Sequence, residues 1–263
     1  MHSSMNIFLI KPTLTLALCV VAFGFLGCSD EPTTTSPTDN NTTDELAIYK
    51  RIYGASSVTS DGSFVTIQTN GMPDHKSVYY AASDPLFEDF SGTTFGGVTF
   101  RKNPNSIVSQ TLTFRIPLNP AEATNHSATS LGPIGVAMNG VALYNQYAGP
   151  NEQELTNEIT SFDKYYGHPQ GQGQYHYHVE PIYLTEVRFS RSSLMGFLLD
   201  GFPVYGPEEE NGSLVTSSQL DDYHGHSHAT LDYPNGIYHY HFTADAPYMN
   251  GNGYYGTAGT VTQ

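Results

Sequence analysis

Gly135-Val136-Ala137-Met138-Asn139-Gly140-Val141-Ala142-Leu143-Tyr144 recurs 61 residues later as Gly196-Phe197-Leu198-Leu199-Asp200-Gly201-Phe202-Pro203-Val204-Tyr205. Each copy reads as a strand, a tight turn at Asn-Gly or Asp-Gly, and a second strand. Two more blocks follow in the same order. Asp163-Lys164-Tyr165-Tyr166-Gly167-His168 returns as Asp221-Asp222-Tyr223-His224-Gly225-His226, and Tyr175-His176-Tyr177-His178 returns as Tyr238-His239-Tyr240-His241. Three blocks in order at nearly constant spacing predict two pseudo-symmetric repeats, at about 133–184 and 194–248, each a hairpin, a loop and a histidine-bearing strand. Neither unit is large enough to fold alone, so one domain over 45–263 is expected to contain both.

Outward from the repeats the chain reads as mainly β with little helix. Ser63 to Thr69 alternates as a strand of an N-terminal β segment and runs into the Asn70-Gly71 turn. Ile107 to Ile116 alternates similarly and stops at Pro117, and only Asn151 to Phe162 has the makings of a short helix. At the N-terminus, residues 7–26 are apolar apart from Lys11, Pro12, Thr13 and Thr15, and they end at Leu26-Gly27-Cys28. This predicts a lipoprotein signal peptide over 1–27 with Cys28 as the lipidated residue. Ser29 to Asp44 has no aliphatic or aromatic residue, so 28–44 is expected to be a disordered tether. Cys19 and Cys28 are the only cysteines. Cleavage would leave Cys28 alone, and no internal disulfide is then available.

The net charge of −15 argues against a nucleic-acid partner. Nineteen tyrosines beside no tryptophan suit polar cores and wet binding surfaces, since each ring carries a hydroxyl. In an extended strand, residues two apart share a face, so His176 and His178 project together, opposite Tyr175 and Tyr177; His239 and His241 do the same. A third imidazole, His168 or His226, precedes each strand. The expected metal ligands are therefore His168, His176 and His178 in one set and His226, His239 and His241 in the other. Three neutral imidazoles suit zinc or copper with a position left open. Asp163 and Asp221 are the expected partners of the imidazole N–H groups. His75, His224 and His228 are additional candidates.

Asn70-Gly71-Met72-Pro73-Asp74-His75, Asn103-Pro104-Asn105 with Gln110, Asp200 to Pro207, and both histidine segments resemble the YHYH family of secreted bacterial proteins, over about 65–256. Relatives often carry cysteine where Tyr165 and Tyr223 stand here and near Tyr183. The resemblance therefore implies crosslinks that this chain lacks. The leading functional expectation is an envelope lipoprotein, held at the outer membrane or cell surface through its lipid anchor, that binds zinc or copper for storage, sensing or delivery. A second reading is a metal-dependent enzyme with an open three-histidine site. A third is a metal-free, tyrosine-rich module for glycan or protein.

Overall fold

The computed structural model describes residues 44–263, which belong to a single unit, Thr42–Gln263. The expected signal peptide, Cys28 and the tether up to residue 43 lie outside the described residues. In chain order the strands are β1 (Ala55–Ser60), β2 (Phe64–Thr69), β3 (Leu112–Pro117), β4 (Pro133–Ala137), β5 (Ala142–Tyr144), β6 (Tyr147–Ala148) and β7 (Gln153–Glu154). They continue with β8 (Gly167–Pro169), β9 (Tyr175–Tyr177), β10 (Leu194–Leu198), β11 (Pro203–Tyr205), β12 (Gly225–His228), β13 (Ile237–His241) and β14 (Thr260–Thr262). The chain is mainly β, as expected. The 107–116 run forms a strand only from Leu112, because Ile107, Val108 and Gln110 spend their amides on the loop carbonyls of Tyr79, Gly173 and Asn70. The anticipated helix shrinks to four residues, α1 (Thr156–Ile159).

A four-stranded sheet in the order β1-β2-β3-β14 buries alternate residues, Val65 and Ile67 on β2 and Leu112, Phe114 and Ile116 on β3. These side chains share one core with Ile134, Val136, Phe197 and Leu198 of the larger sheet. That larger sheet has eight strands in the order β12-β13-β11-β10-β4-β5-β9-β8. Its central pair, β4 and β10, is antiparallel, with Val136 opposite Phe197. Outward from this pair, both sides run through an antiparallel hairpin, a parallel step to the histidine strand, and an antiparallel outer strand. Both hairpin turns need a left-handed residue, supplied by Gly140 (φ 81°) and Gly201 (φ 85°). The order of strands fixes the location of the histidines. β9 and β13 are five steps apart, roughly 24 Å at the usual strand spacing.

Candidate metal centres

On β8 and β9, His168 lies directly opposite His176. Gly167 makes the close approach work, because a Cβ there would meet the Tyr175 ring at 2.5 Å. The strand splits its side chains as alternation requires. Tyr175 and Tyr177 turn to one side, where Tyr175 donates to Asp163 and Tyr177 lies 2.9 Å from His75 Nε2. His176 and His178 turn to the other. There the Nε2 atoms of His168 and His176 are 3.0 Å apart, and those of His176 and His178 are also 3.0 Å apart. From α1, Glu158 brings Oε2 to 3.5 Å from His168 Nε2 and 3.4 Å from His178 Nε2. All three imidazoles are buried, whereas Glu158 is partly exposed.

The far side of each ring decides which nitrogen carries the proton. His176 Nδ1 faces the carbonyl of Gln174 at 3.1 Å, and His178 Nδ1 faces that of Asn145 at 2.6 Å. A carbonyl only accepts, so both Nδ1 atoms must donate. His168 Nδ1 lies 2.7 Å from Ser161 Oγ, whose own hydrogen goes to the Glu158 carbonyl, so that Nδ1 donates as well. The three Nε2 atoms are therefore left as lone pairs pointing at one another. Burial holds His168 and His176 well below the ordinary imidazole pKa, and the neighbouring rings add to that shift, so a second proton does not relieve the conflict. A cation between the rings does. Tetrahedral Zn–N bonds place nitrogens about 3.3 Å apart, close to the spacing found.

The second centre repeats the scheme with a different ligand set. Across β12 and β13, His226 lies opposite His239, and a Cβ at Gly225 would meet the Tyr238 ring at 2.4 Å. His239 Nδ1 faces the Ile237 carbonyl at 3.0 Å, His241 Nδ1 that of Gly206 at 2.7 Å, and His228 Nδ1 that of Ala229 at 2.8 Å. Here too the Nε2 atoms of His228, His239 and His241 are left as lone pairs. His226 and His228 Nε2 are 3.1 Å apart, and buried His241 Nε2 has no hydrogen-bond partner. The ligand atoms of His226, His228, His239 and His241 all lie within 4.8 Å of one another. Glu209 stands beside them, its carboxylate 3.3 Å from His226 Nε2 and 3.2 Å from His228 Nε2. Burial lowers His239 to about 3 and His241 to about 4.

All six expected ligands fall in these two clusters, and His228 joins the second. His224 does not. Its left-handed backbone (φ 74°) turns it away from the cluster, and its Nε2 lies 2.9 Å from Thr243 Oγ1. His75 also stands apart, on the tyrosine side of the sheet. Among the described residues Asp163 and Asp221 make no hydrogen bond to an imidazole. Each carboxylate folds back on its own loop, accepting from Tyr165 N at 2.8 Å or Tyr223 N at 2.9 Å, and each also accepts from the strand tyrosine, Tyr175 or Tyr238. The imidazoles are oriented by backbone carbonyls and Ser161 instead. The sequence reading missed Glu158 and Glu209. Their only signals were a carboxylate in the single helical stretch and the acidic run Glu208-Glu209-Glu210.

The first cluster opens on a cleft of about 550 Å³ whose wall includes Arg101, Tyr144, Glu158 and all three histidines. At the second, the cavity bordered by Glu209, His228, His239 and His241 holds about 10 Å³. The first centre faces a space for a small molecule; the second borders a much smaller cavity, with His226 and His228 partly exposed at the surface. No curated protein and no solved structure matches the chain. The family model described as YHYH protein matches residues 113–215 and 208–253, so the stretch 65–112 included in the expected resemblance lies outside the match. Since the match spans more than half of the 263 residues and takes in both histidine strands, the chain belongs to the YHYH protein family.

Proposed function

We propose that this protein is a lipid-anchored component of the bacterial envelope that binds a transition-metal ion, zinc or copper, at each of its two histidine clusters. The observation that carries the reading is the convergence of unprotonated Nε2 atoms at 3.0 Å in a buried setting, with every first-cluster Nδ1 committed elsewhere. A core built only for packing would place a donor opposite each lone pair. Nitrogen-rich ligand sets favour zinc and copper over magnesium or calcium. Two centres in one chain suit storage, sensing or delivery of the ion.

The test is metal content after reconstitution with zinc or with copper and removal of loose ion. Two ions per chain are expected for the native domain. One is expected for His176→Ala/His178→Ala, one for His239→Ala/His241→Ala, and background when the four changes are combined. Background metal in the native protein would overturn the reading. For the anchor, Cys28→Ser is expected to move the protein from the membrane fraction to the soluble one. An unchanged distribution would remove that part of the proposal. A second reading, metal-dependent catalysis, draws on the open cleft at the first centre alone.

A further inference from the structure

We infer that the first centre binds an oxyanion-bearing small molecule directly on its metal ion, with Arg101 as the countercharge, and that the second does not. This rests on the metal reading above and extends it. The cleft at the first centre is walled by His168, His176, His178 and Glu158, so whatever fills it touches the ion's position. Three histidines fix three positions of a zinc or copper ion, and the fourth can be held by the partly exposed Glu158 or yielded to an incoming ligand.

The charge of the cleft selects the ligand. Among the described residues Glu158 is the only carboxylate of its wall, against Arg101 and a divalent ion. Among the described residues Arg101 pairs with no carboxylate, whereas Arg51, Arg115 and Arg191 each do. Asn103 and Asn105 both donate to the Pro169 carbonyl, which braces the wall beside His168 and leaves the guanidinium as the available cation. A guanidinium and a metal ion on one wall are complementary to a carboxylate or a phosphate. The volume of about 550 Å³ accommodates more than a bare anion, so the ligand class is a small organic acid or phosphate ester. At the second centre a fourth imidazole, His228, joins the set, no arginine lines the adjoining cavity among the described residues, and that cavity holds only about 10 Å³.

The test is the visible spectrum of the cobalt(II)-loaded protein titrated separately with acetate and with inorganic phosphate. We expect a saturable change in about half of the cobalt absorption with at least one anion. It should be retained in His239→Ala/His241→Ala and lost in His176→Ala/His178→Ala. Arg101→Gln, with circular dichroism and cobalt content unchanged, should weaken anion binding about tenfold. A response to acetate alone assigns a carboxylate, and a response to phosphate alone a phosphate ester. Two bound cobalt ions whose spectrum neither anion alters, a response that persists in the first-cluster variant, or full affinity in Arg101→Gln would overturn the inference while leaving the metal reading intact. Failure to retain cobalt, zinc or copper at all would instead fail the metal reading, and the inference with it.

Discussion

The two halves of the eight-stranded sheet share strand order and pairing sense, yet they finish their histidine clusters differently. In the first half, Gln170 holds the place next along the outer strand that His228 holds in the second, and its amide donates to Gln174 Oε1 at 3.2 Å. Glu158 from the covering segment stands beside the remaining three imidazoles, and a cleft opens next to it. In the second half, His228 makes a four-imidazole set, and Glu209 stands beside it while His226 and His228 stay partly exposed. One scaffold thus supports a buried histidine set beside a cleft and a half-exposed set without one.

The largest expected effect comes from the ions themselves. With free metal near a thousand times the dissociation constant, each occupied centre adds about 4 kcal/mol of stability. For a domain of this size that is a rise in Tm on the order of 10 °C. Each double histidine variant should forfeit about half of the metal-dependent rise in a melting experiment. If His176→Ala/His178→Ala forfeits all of it, the centres are not independent. Next comes pH dependence in the metal-free protein. His239 at about 3 and His241 at about 4 lie below the free imidazole value of about 6.5, so the unfolded chain binds protons first as pH falls. The stability these groups contribute is complete above about 6.5 and is lost as pH falls toward 4 and then 3. Denaturant midpoints across that window should flatten in His239→Gln/His241→Gln.

The paired aspartates test the halves at equal chemistry. Asp163 is buried and accepts from Ser77, Tyr165 and Tyr175, so Asp163→Ala strands three donors and should cost about 3 kcal/mol. Asp221 is exposed, and Asp221→Ala should cost about 1 kcal/mol or less in urea unfolding. Equal losses would contradict the burial difference. Ser161→Ala acts on the first centre alone, because it removes the acceptor of His168 Nδ1. It should weaken the first centre by about tenfold to a hundredfold, read by competition with a colorimetric chelator, and leave the second unchanged.

Much of this arrangement was legible from residue order. Alternation along Tyr175–His178 and Tyr238–His241 separated imidazoles from phenols, and Asn139-Gly140 and Asp200-Gly201 marked the turns, because both properties are local to the backbone. What stayed hidden depends on how distant segments cover the sheet. Glu158 and Glu209 reach the clusters from loops whose paths no local spacing dictates. The choice of His228 over His224 turned on one left-handed residue. Asp163 and Asp221 satisfied their own loop amides first, a local competition that spacing alone cannot rank against an imidazole.

β8 and β12 are the two borders of the large sheet, and each carries one member of a facing histidine pair. On the proposed function, an ion gripping both members would rivet a border strand to its neighbour, in a chain that has no cysteine after residue 28 to do so covalently. Unlike a covalent crosslink, such a rivet would come and go with the supply of metal. Its withdrawal would loosen both borders and bare backbone that another chain can pair with. Metal scarcity would then register as a change in how this protein associates with copies of itself.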